Sequence, residues 1–138
     1  MYNVSNLLKN KHLNTCIFKT NTKPIIKGGY YLPHITEKNV SNDIGLSKNL
    51  IITGPNASGK TTLIKSTILN VFLSQSMGCG CYSRCQIPLY DYYHSYLNIP
   101  DTSNRDSLFQ AEARRCKEII LFIEKNKQKK HFCIFDEI

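Results

Sequence analysis

Long apolar runs are absent from this sequence of 138 residues, and acidic residues are few. The longest apolar stretches, such as 119–123, are far shorter than the roughly 20 residues that a membrane-spanning helix needs. Residues 1–11 include no apolar stretch like that of a secretory signal peptide, so we expect an intracellular protein, cytoplasmic or nuclear, without membrane contact. Internal repeats and long Gly/Ser-rich or Pro-rich linkers are absent as well, and the length suits one domain.

Positive charge is what the sequence has in excess. Lys and Arg total 18 against 10 Asp and Glu, and the resulting net charge of +8 favours phosphate-bearing partners, either nucleotides or nucleic acids. Fourteen of the basic residues are lysine and thirteen residues are asparagine, a bias that an AT-rich genome would also produce. Charge alone therefore does not identify a function. The six cysteines, in a chain without a secretory signal, are interpreted as reduced thiols.

Three segments have patterns that bear on function. The short apolar run 49–53, bounded by turn residues, predicts a buried strand. Segment 60–77 contains no Gly or Pro and places apolar residues at helical spacing, which predicts a helix. Segment 131–135 is a second apolar run that leads directly into two carboxylates. The first two segments enclose a glycine-containing loop, and that order decides how the loop is interpreted.

The remaining segments are less informative. Residues 1–22 are polar and weakly patterned, and are interpreted as an arm or the end of a preceding domain, with the main domain at 23–138. Residues 24–48 contain β-forming residues interrupted by Gly and Pro, which predicts an antiparallel element. Ser107 and Gln110 fit a capping box for a helix that ends near Lys125, where several lysines favour the negative end of the helix dipole.

The loop 54–61 satisfies the pattern G-x-x-x-x-G-K-[ST]. Its glycines allow backbone N–H groups to point at phosphate oxygens beside the positive end of the following helix. In this arrangement Lys60 contacts the β- and γ-phosphates, and the Thr61 hydroxyl binds Mg²⁺. We therefore expect the loop and the first helical turn to bind phosphate, through Gly54, Pro55, Asn56, Ala57, Ser58, Gly59, Lys60, Thr61 and Thr62.

The carboxylates Asp136 and Glu137 follow the strand predicted at 131–135, seventy-six and seventy-seven positions after Lys60. An aspartate placed after such a strand holds the Mg²⁺ shell in P-loop enzymes, and a following glutamate can orient or deprotonate the attacking water. The pair predicts Asp136 as a metal residue and Glu137 as a catalytic residue. A glutamate beside the metal aspartate favours an ATP hydrolase over a small-molecule kinase.

The motifs resemble those of the MutS family of DNA mismatch-repair ATPases. Residues 51–62 are Ile-Ile-Thr-Gly-Pro-Asn-Ala-Ser-Gly-Lys-Thr-Thr. From Ile52 onward they are similar to the family's I-T-G-P-N-x-x-G-K-S-T loop. Residues 42–44 resemble its Asn-Asp-(Ile/Val) element, and Ser74-Gln75 with Gly78 resembles Ala-Gln-x-Gly. Residues 107–112 resemble Ser-Thr-Phe-x-x-Glu, and 134–138 resemble the second acidic motif.

The resemblance implies an α/β P-loop fold of the ABC-ATPase type, with a central, mostly parallel sheet flanked by helices. It implies binding of ATP and Mg²⁺, and ATP hydrolysis by a homo- or heterodimer that shares its nucleotides between subunits and binds mismatched or branched DNA. Ser107 corresponds to the serine that reaches the partner's γ-phosphate, so it joins Lys60 and Glu137 as a catalytic residue. The alternative is that Ser107 only caps its helix.

The sequence also departs from the family pattern. Residues 79–85, Cys-Gly-Cys-Tyr-Ser-Arg-Cys, replace the usual Val-Pro-Ala, and Thr61 replaces the commoner serine. The sequence ends at Ile138, before the family's Gly-Thr segment, switch histidine and helix-turn-helix. We therefore expect a domain that is incomplete at its C-terminus and an isolated chain that does not hydrolyse ATP.

Other signals are given structural interpretations. Cys79, Cys81 and Cys85 lie near His94 in sequence, but the C-x-C-x-x-x-C spacing does not match a Cys-x-x-Cys metal pair, and small packed thiols are favoured. The tyrosines between 90 and 96 could stack on bases beside Arg84, but packing within the protein is favoured. The lysines at 125–130 could contact DNA, but a solvated helix end is favoured.

Two rival functions are left open. Another ABC-superfamily ATPase, in chromosome maintenance or transport, predicts Leu-Ser-Gly-Gly-Gln before the second acidic motif, and that segment is absent. A nucleotide-binding fragment without turnover, or a basic DNA-associated module, predicts no ATP hydrolysis with or without DNA.

Overall fold

The computed structural model describes residues 5–6, 12–34, 39–97 and 108–136. The chain forms two compact units, Met1–Leu89 and Tyr90–Ile138, which are described separately below. Neither of the long helices in the described part of the chain has the length and apolar character needed to cross a membrane.

The first unit contains a five-stranded mixed sheet in the order β3-β2-β5-β1-β4. Among the strands that the structure describes in this unit, β1 pairs with β5 in parallel, and the other three pairings are antiparallel. Its elements are β1 (Asn14–Phe18), β2 (Ile25–Gly29), β3 (Asn42–Gly45), helix α1 (Lys60–Met77), β4 (Cys79–Gly80) and β5 (Arg84–Ile87), with a 3-10 turn at Leu32–His34.

This mixed sheet differs from the mostly parallel sheet expected from the sequence. The predicted strand at 49–53 is not formed, so the strand expected to precede α1 is missing from the sheet. Leu50, Ile51 and Ile52 are 53%, 93% and 39% exposed. An apolar run is buried only where another element covers it, and this sheet is built from β1–β5 without contribution from 49–53.

Helix α1 has the bounds that the sequence predicts, because Gly59 and Gly78 flank it in left-handed conformations, with φ of 91° and 73°. The apolar residues at helical spacing led us to expect an apolar buried face. The buried face instead consists mainly of polar residues, and Phe72 is exposed. Each polar group needs a partner there. Asn70 Nδ2 donates to the Tyr30 carbonyl at 3.0 Å, and Asn70 Oδ1 accepts from the Cys81 N–H at 2.7 Å. These bonds tie the middle of α1 to the segments beside β2 and β4.

The antiparallel element predicted at 24–48 is confirmed by the pairing of β2 with β3. Segment 1–22, interpreted from the sequence as an arm or the end of a preceding domain, contains β1, which lies between β5 and β4 in the sheet. Side chains of β1 alternate between the two faces of the sheet, as in any strand: Asn14 and Cys16 are half-buried, and the intervening Thr15 is exposed. The boundary at residue 22 stays a prediction.

The second unit is a parallel strand pair with a helix between the strands in sequence, comprising β6 (Tyr92–Tyr96), α2 (Leu108–Lys125) and β7 (His131–Phe135). The predicted helix end at Lys125 and the predicted strand at 131–135 are both confirmed. Ile119 of α2 and Phe132 and Ile134 of β7 are buried. Parallel neighbours require a crossover connection, and α2 lies within that connection here.

Candidate functional site

The glycine loop 54–59 leads directly into α1. Two of its residues, Ala57 and Gly59, adopt left-handed backbone conformations, with φ of 61° and 91°. The Ser58 N–H donates to the Pro55 carbonyl at 3.3 Å, which closes a turn. At Gly54 a Cβ atom would lie 3.0 Å from Ser58 Oγ, so a side chain there would crowd the loop. The loop is thus a tight turn with little side-chain bulk.

Lys60, the first residue of α1, folds its side chain back over this loop. Its Nζ donates to the carbonyls of Gly54 at 2.8 Å and Pro55 at 2.9 Å. The ammonium group therefore lies beside the loop backbone, with two neutral carbonyl groups as its partners. An anion that enters the loop would meet this charge.

The first turn of α1 carries no negative charge of its own. Gly59 supplies no side-chain cap, and the first turn contains no acidic residue. The first N–H groups of a helix lack intrahelical partners and carry the positive end of its dipole. This end of α1 therefore has the electrostatic character of an anion site.

A cavity of about 530 Å³ lies beside the loop, within the first unit. Its volume is within the roughly 300–1,000 Å³ range of small-molecule sites. Of the residues predicted to bind phosphate, Ala57, Ser58, Gly59, Lys60 and Thr62 line it, together with Thr53, Leu63 and Ser66. The remaining walls come from residues that the sequence analysis did not assign to the site: Tyr31, Asn39, Val40, Asn42 and Ile52. Of these residues, Asn42 could have been found from the sequence, because it belongs to the Asn-Asp-(Ile/Val) element of the family resemblance.

The predicted site residues Ser107, Asp136 and Glu137 belong to the second unit. Asp136 follows β7 in the second unit, its side chain is buried, and its N–H donates to the Tyr96 carbonyl at 3.0 Å. Ser107 and Glu137 lie outside the described residues. The assignment of Mg²⁺ to Thr61 and Asp136, which belong to different units, stays a prediction.

His94 of β6 and His131 of β7 form a pair that the sequence did not predict. His94 Nε2 and His131 Nδ1 are 3.0 Å apart, and His131 Nε2 lies 3.0 Å from the Asn126 carbonyl. Burial, followed by the nearby His131 and Arg115, lowers the pKa of His94. In the strand register His94 pairs with Cys133 and His131 pairs with Tyr92, so the two histidines are diagonal neighbours. This contact depends on the strand pairing, and the sequence alone carried no signal of it.

The tyrosines around β6 are packed, as predicted. Tyr92 stacks on His131 with centroids 5.3 Å apart and meets the edge of Phe122 at 4.9 Å, and Tyr90 lies 5.0 Å from Phe132. The lysines at the end of α2 are solvent-exposed, also as predicted.

Asp91, which precedes β6, accepts the Lys130 N–H at 2.8 Å and lies 3.6 Å from Lys129 Nζ. The Lys130 N–H, with the nearby Lys129, lowers the pKa of this carboxyl group. Asp91 therefore joins the starts of the two parallel strands.

Comparison with known proteins gives the family. No protein-family model matches the chain. The chain is 34% identical over 112 residues to the DNA mismatch repair protein MSH3 of Yarrowia lipolytica, covering 75% of this chain and 11% of that protein. It is 33% identical over 126 residues to the DNA mismatch repair protein MutS of Caldicellulosiruptor saccharolyticus, covering 87% and 14%.

A third relative is the DNA mismatch repair protein Msh3 of Dictyostelium discoideum, 29% identical over 114 residues, with coverage of 80% and 7%. The chain thus spans roughly a tenth of the length of these relatives. The matched stretches cover three quarters or more of the chain. The chain belongs to the MutS family and corresponds to a segment of its much longer members.

Proposed function

We propose that residues 54–62 bind the triphosphate of ATP and that the chain is the nucleotide-binding segment of a MutS-type mismatch-repair ATPase. The observation that carries this proposal is the tight loop at an uncapped helix N-terminus beside a cavity of about 530 Å³. Backbone N–H groups, a helix dipole and the Lys60 ammonium group converge on one small region, and each favours an anion.

Lys60 has the central role in this proposal. Its bonds to the Gly54 and Pro55 carbonyls keep the ammonium group at the loop, and phosphate oxygens would replace those carbonyls as its partners. Charge-assisted hydrogen bonds to phosphate are roughly twice as strong as bonds between neutral groups, so the exchange favours nucleotide binding. The side chains of Tyr31, Val40 and Ile52 supply the part of the cavity wall suited to the nucleoside.

The proposed metal residues have the right chemistry for Mg²⁺. Mg²⁺ prefers oxygen ligands, and the Thr61 hydroxyl and Asp136 carboxylate supply them. Bound Mg²⁺ would neutralise charge on the β- and γ-phosphates. Glu137 would orient or deprotonate the attacking water, and Ser107 would contact the γ-phosphate held by the partner subunit.

The wider function follows from the relatives, each of which is named a DNA mismatch repair protein. In the longer protein we assign ATP hydrolysis to a dimer that binds mismatched or branched DNA. The net charge of the chain, +8, is compatible with a DNA-associated protein.

Calorimetric titration of the chain with a non-hydrolysable ATP analogue and Mg²⁺ tests the loop. Lys60→Ala should reduce affinity by at least tenfold, because one charge-assisted contact to phosphate contributes about 1.5–3 kcal/mol. Lys65→Ala is the matched control, because Lys65 lies on the same helix but outside the cavity wall. Equal affinity for the parent and Lys60→Ala would overturn the assignment of the loop.

Turnover needs a separate experiment on the longer protein. Glu137→Gln should leave nucleotide affinity unchanged and slow hydrolysis, measured with and without DNA. Equal turnover in variant and parent would remove Glu137 from the catalytic role. Binding without hydrolysis in the longer parent itself would favour the rival function, a nucleotide-binding protein without turnover.

A further inference from the structure

Two cysteines far apart in sequence meet in the centre of the five-stranded sheet. Cys16 of β1 and Cys85 of β5 are directly paired in the parallel register, and their sulfur atoms are 3.6 Å apart. Paired Cα atoms of neighbouring strands are about 4.8 Å apart, inside the range of about 4.4–6.8 Å that disulfides span. The sulfurs would have to approach by roughly 1.5 Å to reach bonding distance.

The two thiols have different surroundings. Cys16 is half-buried, whereas Cys85 is fully buried. Cys85 Sγ lies 3.9 Å from Ser74 Oγ of α1, and Ser74 Oγ is 3.0 Å from the Tyr82 hydroxyl. Cys16 is therefore the thiol that a solute can reach, and Cys85 lies behind it.

The reactivity of Cys16 is raised by the same contact. Hydrogen bonding with the Cys85 thiol lowers the pKa of Cys16 to about 7, although burial opposes the shift. The hydrogen bond with Cys16, together with burial, raises the pKa of Cys85. A thiolate is the nucleophilic form of cysteine, so Cys16 is the attacking sulfur and Cys85 stays protonated until a later step.

We propose that Cys16 and Cys85 are a modification site at which a hydroperoxide forms a reversible disulfide between β1 and β5. The Cys16 thiolate attacks the terminal peroxide oxygen, the O–O bond breaks, and the leaving oxygen takes a proton to give water or an alcohol. Cys16 is then a sulfenic acid. The sulfur of Cys85 attacks the Cys16 sulfur, the S–O bond breaks, and the Cys85 proton leaves with the hydroxide as water. Two thiols are oxidised by two electrons, and one peroxide is reduced.

Peptide mapping of the full 138-residue chain after treatment with hydrogen peroxide tests the site. Trypsin cleavage at Lys and Arg separates the relevant cysteines, because peptide 12–19 contains only Cys16, peptide 85–105 contains only Cys85, and peptide 66–84 contains Cys79 and Cys81. After free thiols are blocked with N-ethylmaleimide, we expect peptides 12–19 and 85–105 to be joined, with the mass of two hydrogens lost. Dithiothreitol should separate them.

Variants make the test specific. Cys16→Ser should abolish the joined peptide, and Cys133→Ser, a control in β7 of the second unit, should leave it unchanged. In Cys85→Ser, the hydroxyl group can still donate a hydrogen bond to Cys16 but cannot form a disulfide, so Cys16 should accumulate as a sulfenic acid, detected with dimedone. A joined peptide between 12–19 and 66–84, or a Cys16 that peroxide leaves as a free thiol in the parent, would overturn the proposal. Circular dichroism of each variant checks folding, and the parent result stands independently of the variants.

Discussion

His131 accepts a hydrogen bond from His94 on the neighbouring strand and donates one to the carbonyl of Asn126, five residues earlier in the chain. A carbonyl oxygen can only accept, so His131 Nε2, 3.0 Å from the Asn126 carbonyl, carries the hydrogen. In the neutral ring Nδ1 is then an acceptor, and the hydrogen between the rings belongs to His94 Nε2, 3.0 Å away. The two rings thus link β6 to β7 in addition to the backbone pairing of the two strands.

The first prediction is that stability falls at mildly acidic pH. Unfolded histidine has a pKa near 6.5, whereas burial, His131 and Arg115 lower the pKa of folded His94. The unfolded state therefore binds more protons below about pH 6.5, and the free energy of unfolding should be constant above that pH and decrease below it. Urea unfolding between pH 5 and 8, followed by tyrosine fluorescence, measures this.

The matched control for this prediction is His12→Gln, because the His12 side chain is exposed. His94→Gln should flatten the pH dependence between pH 5 and 6.5, and His12→Gln should leave it as in the parent. An identical slope in all three proteins would show that the histidine pair does not set the pH response.

The second prediction concerns the buried polar face of α1. Asn70→Ala removes the acceptor of the Cys81 N–H and the donor to the Tyr30 carbonyl, so two backbone groups lose their partner. Buried unsatisfied groups cost about 1–3 kcal/mol each, and we expect a loss of roughly 2–4 kcal/mol in the free energy of unfolding. Ser76→Ala, an exposed position on the same helix, should change stability by less than about 0.5 kcal/mol. Equal midpoints in urea would contradict the assigned role of Asn70.

The contrast between α1 and segment 49–53 shows how far the sequence could predict the fold. Helix bounds were predictable because Gly59 and Gly78 end the helical pattern by a local backbone preference. Burial of 49–53 was not predictable, because it depends on whether a neighbouring element covers the segment. The same holds for the pairing of β1 with β5, whose residues Cys16 and Cys85 are 69 positions apart.

In the candidate site, too, one part could be predicted from the sequence and another part could not. The loop proposed to bind phosphate has a local signature, since the pattern spans eight consecutive residues. The cavity wall formed by Tyr31 and Val40 has no such signature, because these residues line the cavity only as a result of how the segments before the loop fold. Their types, an aromatic and a branched aliphatic residue, are common in any core.

The third prediction tests the exposed position of segment 49–53. Ile51 is 93% exposed and Ile26, in β2, is 1% exposed. Ile51→Ala should therefore change the free energy of unfolding by less than about 0.5 kcal/mol, whereas Ile26→Ala should lower it by about 2–5 kcal/mol. A large loss for Ile51→Ala would show that another element covers the segment in solution.

The last prediction separates the backbone requirement of the loop from side-chain crowding. Gly59 has a φ of 91°, and a Cβ there would meet no atom within 4 Å, so only backbone strain opposes a side chain. Gly59→Ala should therefore cost about 1–3 kcal/mol in stability, and nucleotide affinity should fall if the loop relaxes to avoid the strain. Gly45→Ala is the control, because Gly45 also has open space around it but no left-handed φ. Urea unfolding and calorimetric titration of both variants measure the two effects. A Gly59→Ala protein as stable as Gly45→Ala would mean that the left-handed conformation is not required, and the proposed geometry of the phosphate site would fail with it.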